Sequence, residues 1–443
     1  MAFNATKTPL LKSILARGFS AQASQKFTAS KANELQVTTL PNNILVASID
    51  QNAPLANVAV IYGAGARNES PDTQGLTRAL RIGARLTNKK STDFRIRNHI
   101  RATGGALTAD CDRETFTYSL KLNRNQLDTG LRFLYDVSTQ QEFRPWELKN
   151  LADQINDDLL SVTNTDRAID ALHQAAFNGG LGNTLYAGNV NVGNITASQL
   201  QNFVEKNFNE SRCAIVGVGI DHETLLGFAK AFQLETGTAT AAPCKTTSGQ
   251  VRINQSSSNA TVAVGTHGAS LANAKEVLAF AILRNIAGHG RIIANCGPVS
   301  ALAKVVDGSL KSPYEFDAFN ANYTDNGLFG FVLTANAHEI GKAVDSALKA
   351  LKSGSVSQSD VDVAKSTMKT AVAEELATSA GRFSNLLSQT GTGKFLGKSE
   401  ILAAIDGVSV ADVNAAAKKV ASGKWSIGAI GNLSNVPYAA DLN

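Results

Sequence analysis

Between residues 116 and 122 the chain alternates cleanly, with Phe116, Tyr118, Leu120 and Leu122 on one side and Thr117, Ser119 and Lys121 on the other. A period of two predicts a strand with one buried face. Val58–Tyr62 is apolar throughout, which predicts a strand covered on both faces, and Ile44–Ile49 predicts another after the turn Pro41-Asn42-Asn43. Elsewhere the period lengthens. In Gly75–Leu86, the residues Leu76, Leu80 and Gly83, with Ala79, Ile82 and Leu86, recur at three- and four-residue steps and predict a helix. Asp93–Ala102 reads as a second helix, punctuated by Thr103-Gly104-Gly105-Ala106. A helix-rich stretch runs from about Leu127 to Phe177, and helix Ala197–Phe208 followed by strand Cys213–Gly219 closes the first half.

The scheme then repeats. Thr261–Gly265 predicts a strand, and Val277, Leu278, Ala281, Ile282 and Ile286 form one side of a helix stopped by Gly288. Strands follow at Phe316–Tyr323 and Leu328–Thr334 around the turn Thr324–Gly327, then long helices at about His338–Leu351 and Val361–Ala380. Ser409–Val420 and Trp425–Gly431 repeat the earlier helix–strand closure at an offset of 212 residues (409 − 197 and 425 − 213). Repeated closures at one spacing point to two copies of an α/β module. Thr236–Gln250, small, polar and containing Pro and Gly, reads as the linker, so the expected domains are 35–235 and 251–443, with the linker at 236–250.

Composition narrows the class. The 443 residues exceed one ordinary domain, and 18% charged with 43% hydrophobic residues is ordinary for a folded globular chain. No apolar run reaches the ~18 residues of a membrane span. Of the formal charge of +5, Lys7, Lys12 and Arg17 carry three units, leaving +2 for residues 21–443 (5 − 3). No run of cations is interleaved with aromatics, so a nucleic-acid platform is not expected. Residues 1–33 contain no Asp or Glu, and Leu10, Leu11, Ile14 and Leu15 fall at helical spacing among Lys, Arg, Ser and Thr. This is the profile of a mitochondrial transit peptide, expected over residues 1–20, with Arg17-Gly18-Phe19-Ser20 resembling a matrix cleavage context.

Candidate chemistry is sparse. Cys111, Cys213, Cys244 and Cys296 form no C-x-x-C pair, which disfavours a zinc finger or redox motif and suits a reducing compartment. None of the six histidines has another within five residues, so no local metal motif exists, and His99 and His289 read as ordinary hydrogen-bonding residues. Ala287-Gly288-His289-Gly290 and Thr390-Gly391-Thr392-Gly393 lack both the Lys-Ser/Thr of a Walker loop and a strand-to-helix G-x-G-x-x-G setting, and read as turns or helix stops. No G-x-S-x-G elbow is present.

Several fragments carry a family likeness. They are Leu40–Val46, Gly63-Ala64-Gly65-Ala66-Arg67, Gly104–Ala109 followed by Arg113-Glu114, Phe319–Tyr323 and Asp325–Gly330. Over residues 35–443 the chain resembles the two-halved zinc metallopeptidases (M16, processing-peptidase-like), a family that also contains the core subunits of cytochrome bc1. Glu142–Glu147, Phe316–Tyr323 and Gly431-Asn432-Leu433 resemble those core subunits in particular. The resemblance implies an α/β (α+β) fold of two tandem similar domains, each a mainly antiparallel sheet packed with helices. Active members carry the inverted motif H-x-x-E-H on a helix, two histidines for zinc and a glutamate as general base. Here those positions are Arg78, Arg81 and Ile82. The distal glutamate ligand falls at Gln154 or Asn156, and a substrate-gripping arginine of the second half at Ala303. Arginine stays protonated and has no lone pair to offer a metal. The implied catalytic, cofactor-binding and metal residues are therefore none, and the implied cofactors none.

The function so implied is structural. It is that of a non-catalytic subunit of respiratory complex III on the matrix side of the mitochondrial inner membrane. Its implied partners are core subunit 1, cytochrome b, cytochrome c1 and other bc1 subunits in a dimeric complex, with no nucleic acid. The alternative is the substrate-recognition subunit of a mitochondrial processing peptidase, which carries a glycine-rich loop in its second half. The equivalent stretch Gly288–Pro298 has only Gly288, Gly290 and Gly297, which favours the core subunit.

Overall fold

The computed structural model describes residues 34–186, 191–237, 244–288, 300–354 and 356–442. The transit-peptide reading, the centre of the expected linker and the stretch after Gly288 lie outside the described residues. The strands are β1 (Leu35–Thr39), β2 (Leu45–Ile49), β3 (Leu55–Tyr62), β4 (Ala106–Cys111), β5 (Phe116–Asn123), β6 (Phe177–Asn178), β7 (Cys213–Val218), β8 (Lys245–Thr246), β9 (Gln250–Asn254), β10 (Asn259–His267), β11 (Glu315–Asn322), β12 (Gly327–Asn336) and β13 (Ser426–Gly431).

Two sheets result. The first has the order β1-β2-β7-β3-β5-β4 and the second β11-β12-β10-β13-β9. Setting β1 aside, β2-β7-β3-β5-β4 corresponds strand for strand to β9-β13-β10-β12-β11, so the halves share one topology. Each is antiparallel except for one pair, β2 with β7 and β9 with β13, which run parallel. The short pair β6–β8 joins a segment within the first half to the start of the second. The closing helices begin at Ala197 and Val410, capped by Thr196 and Ser409 in reciprocal boxes with Gln199 and Asp412.

The patterns explain the packing. Phe116, Tyr118, Leu120 and Leu122 of β5 are all buried in the first core, whereas Lys121 is exposed. β3 lies between β5 and β7. Its Val58, Val60 and Tyr62 enter the core formed with the first half's own helices, while Ala59 and Ile61 enter a second apolar layer on the opposite face. That opposite face is covered from far along the chain. Val361–Ala380, read as one helix, is instead two, Gln358–Glu375 and Ser379–Gln389. Thr378 breaks the run by accepting a hydrogen bond from the Gly381 amide and capping the second. This second helix lays Leu386 against Ala47, Ile61, Ala214 and Val216 of the first sheet.

The converse also holds. Helix Asn164–Ala176, from the first half, packs Ala168, Leu172 and Ala176 against Ala263, Leu328, Val332 and Ile430 of the second sheet. Gly428 of β13 permits this approach: a Cβ there would lie 2.3 Å from the Ala168 carbonyl oxygen and the Leu172 nitrogen. Each half thus lends one helix to the outer face of the other's sheet.

Candidate functional site

Helix α1 (Leu76–Ile82) carries Arg78, Arg81 and Ile82, the positions expected from the resemblance to match a zinc motif. Leu76, Ala79 and Leu80 anchor it in the first core. Its N-terminus is held by Glu69, whose Oε2 accepts from the Gly75 amide at 2.9 Å and whose Oε1 accepts from the Thr77 amide and hydroxyl at 2.7 and 2.6 Å. A carboxylate suits the positive end of a helix and satisfies its unpaired amides. Burial nevertheless pushes the Glu69 carboxyl up to about 7, against the lowering effect of those hydrogen bonds.

With α1 fixed, Arg78 and Arg81 converge on one carboxylate, Asp158 of α2 (Leu151–Leu160). Arg81 Nη2 donates to both Asp158 oxygens at 2.5 and 2.6 Å. Arg78 pairs with Oδ2 and sets its guanidinium 5.1 Å from the centre of the Tyr186 ring. The inward stripe of α2 runs through Leu151, Ile155 and Asp158, whereas Gln154 and Asn156 are exposed. The acid facing α1 is therefore Asp158, and the expectation of Gln154 or Asn156 there is corrected by the phase of the helix. Ile82 packs against the first core.

This donor set does not fit zinc. Two guanidiniums offer no lone pair, and the one carboxylate between them is already neutralised. The cationic charge that a metal would bring beside Asp158 is supplied instead by Arg78 and Arg81. The fit is imperfect, since the buried Nε atoms of both arginines lack partners. Among the described residues no three His, Cys, Asp or Glu side chains come together to hold a metal ion.

A second constellation lies where the halves meet. Gly65 allows the chain to press against the 112–113 backbone, where a Cβ would lie 2.3 Å from the Arg113 carbonyl carbon. Ala66 and Arg67 then donate their amides to the Asp112 and Arg113 carbonyls. From this anchor Arg67 reaches Glu114 Oε1 at 2.6 Å and Asp325 Oδ1 and Oδ2 at 2.9 and 2.5 Å. Arg113 donates to Asp170 at 2.5 Å and to the Leu181 and Asn183 carbonyls. His173 is buried, and both burial and the charge of Arg113 hold its pKa well below the ordinary histidine range. Between these groups lies a cleft of about 460 Å³, bounded by Arg113, Glu114 and Tyr186 on one side and Asn320, Asn322 and Tyr323 on the other.

The sequence carries no motif that marks these residues as chemistry, although the fragments Gly63–Arg67, Arg113-Glu114 and Asp325–Gly330 carry the family resemblance. The three fragments meet here. Ala303 sits in the second core, 5% exposed, and presents nothing to the cleft. His99 is exposed, with Nδ1 bonded to the Arg95 carbonyl, and His289 lies outside the described residues. Cys213 is buried and free, Cys111 and Cys244 are partly buried and free, and Cys296 is not among the described residues. Thr390–Thr392 form a short 3-10 turn ended by Gly393 at φ +65°.

Two sheets of one topology, each covered by a helix from the other half, define a two-halved peptidase fold. The chain belongs to peptidase family M16: residues 45–188 match the insulinase (peptidase family M16) domain and residues 194–368 the peptidase M16 inactive domain. It is similar to cytochrome b-c1 complex subunit 2 of Mus musculus, at 34% identity over 92% of each chain, and to that of Homo sapiens, at 31% over the same shares. It is also similar to the probable mitochondrial-processing peptidase subunit alpha-1 of Arabidopsis thaliana, at 25% identity over 91% of this chain and 83% of that one.

Proposed function

We propose that this chain is a structural, non-catalytic core subunit of mitochondrial ubiquinol–cytochrome c reductase, the counterpart of subunit 2, on the matrix side of the inner membrane. Its partners in this reading are core subunit 1, cytochrome b, cytochrome c1 and the other subunits of a dimeric complex. The observation that carries the non-catalytic reading is the pairing of Arg78 and Arg81 with Asp158 in place of a metal site. The choice of complex is supported by higher identity to the b-c1 subunits than to the Arabidopsis processing-peptidase subunit, 34% and 31% against 25%. Among the described residues no helix is long and apolar enough to cross a membrane, which suits attachment through other subunits. Phe94, Trp146 and Leu160 remain 71%, 67% and 82% exposed, consistent with surface that other subunits cover.

The test is capture of the tagged chain from mitochondria in mild detergent, with partner identification and an absorption spectrum. Stoichiometric b- and c1-type haem absorbance in the captured complex is the expected result. A haem-free complex with a zinc-bearing peptidase subunit would overturn it and establish the processing-peptidase alternative, to which the open cleft beside Arg113 and Tyr323 would then be relevant.

A further inference from the structure

A second cavity, of about 490 Å³, lies beside the Arg67 cluster, walled by the first sheet and roofed by the turn at Gly391 from the second half. Arg212 projects from the start of β7. Its backbone is locked to the sheet, its carbonyl accepting from the Gly63 amide at 2.8 Å, so the side chain is held at a fixed point. The guanidinium forms no ion pair among the described residues, and its one side-chain contact is a long 3.5 Å hydrogen bond to Asn207 Oδ1. Burial and the charge of Arg67 both lower its basicity, opposed by the weaker effect of Glu114.

The other charged groups lining the cavity are engaged. Arg67 is bound by Glu114 and Asp325. Glu114 is saturated in turn, Oε1 accepting from Arg67 and the Thr324 hydroxyl and Oε2 from the Thr324 amide. Of the charged side chains in the lining, Arg67 and Glu114 are thus paired, and Arg212 is the cation without a carboxylate partner among the described residues. Two neutral donors share the wall, the Asn68 amide and the Thr115 hydroxyl, and neither side chain is hydrogen-bonded to the described protein. A planar fork of N–H donors beside an amide and a hydroxyl matches the tetrahedral oxygens of a phosphate.

We infer that this cavity is a binding site for a phosphate-type dianion, free or as the terminal group of a nucleotide, gripped by Arg212 with Asn68 and Thr115. Such a ligand supplies the counter-charge that Arg212 lacks and bridges the first sheet to the Gly391 turn of the other half. The inference is independent of which complex the chain joins.

The test uses hydrogen–deuterium exchange with mass spectrometry on the intact captured assembly, with millimolar orthophosphate in one arm and ADP in the other, at constant ionic strength. Slowed exchange confined to the segments around Arg212 and Gly391 is expected. Protection by both ligands marks a free-phosphate site, and protection by ADP alone marks a nucleotide site. Arg212→Gln is expected to abolish the protection, and Arg212→Lys, which keeps the charge but loses the fork, to weaken binding about tenfold. If Arg212→Gln fails to assemble, the lysine variant alone decides. No protection of the native chain by either ligand, or protection unchanged by the substitutions, would overturn the inference.

Discussion

His173 Nε2 accepts a 2.8 Å hydrogen bond from the hydroxyl of Tyr323, a residue 150 positions further along, in the other half. The geometry fixes the tautomer. Nδ1 lies 2.7 Å from the Ile169 carbonyl and must carry the proton, which leaves Nε2 as the acceptor. Tyr323→Phe strips the donor and leaves a buried imidazole nitrogen unsatisfied. The expected cost is about 1–3 kcal/mol of unfolding free energy, read from the midpoint of denaturant unfolding. A change within error would show that the contact does not help hold the halves together.

Asp158 neutralises two arginines at once, so its removal is expected to hurt more than a surface pair would. Arg78 has 11% of its side chain exposed and Arg81 24%, so solvent screens part of the loss. Asp158→Asn is expected to destabilise by about 2–3 kcal/mol, below the full penalty of a deeply buried pair. The double variant Arg78→Met/Arg81→Met in the same background is expected to recover much of that loss, because it removes the stranded charges. Denaturation of the three forms side by side reads both effects.

Glu69 gives a pH signature. Its folded pKa, about 7, lies above the 4.5 of the unfolded side chain, so the folded state holds the proton more tightly. The resulting stabilisation is complete below the unfolded value and is lost as pH rises through the folded one. Native stability relative to Glu69→Gln is therefore expected to fall between pH 4.5 and 7 and then level off. The slope across that window is expected to be about 1 kcal/mol per pH unit. A difference that does not vary across it would contradict the burial of this carboxyl.

Much of the fold was legible because it depends on local pattern. The alternation in β5 rests on one face meeting one core, the continuous apolar run of β3 on burial of both faces, and the closures at Ala197 and Val410 on repetition of one local pattern. The helix exchange was not legible. Helix Asn164–Ala176 has an apolar stripe that names no partner, and the second sheet it covers begins only at Gln250. Its seat at Gly428 is set by tertiary approach, which a glycine in a strand hints at without specifying. On helix α1, the resemblance implies that Arg78, Arg81 and Ile82 stand where active members carry the zinc motif. The sequence does not expose their pairing with an acid, because that depends on the rotation of α2, which turns Asp158 toward α1 and Gln154 and Asn156 to solvent.

The same geometry makes the proposed correspondence with a zinc site testable by substitution. Arg78 and Ile82 are one helical turn apart on α1, and Asp158 already faces that helix. Arg78→His/Ile82→His would place two imidazoles beside a carboxylate, three ligands of the kind a catalytic zinc site uses. Arg81 remains the obstacle, since it holds Asp158 bidentately and brings a positive charge into the site. The double variant is therefore expected to bind zinc weakly. Adding Arg81→Glu frees Asp158, removes the cation and is expected to raise the metal content toward one equivalent, measured by plasma mass spectrometry after dialysis. Asp158→Asn in the triple variant removes one of the three ligands and is expected to lower the zinc content well below one equivalent. Zinc binding by the triple variant that Asp158→Asn leaves unchanged would mean that α2 no longer presents this residue to the old site.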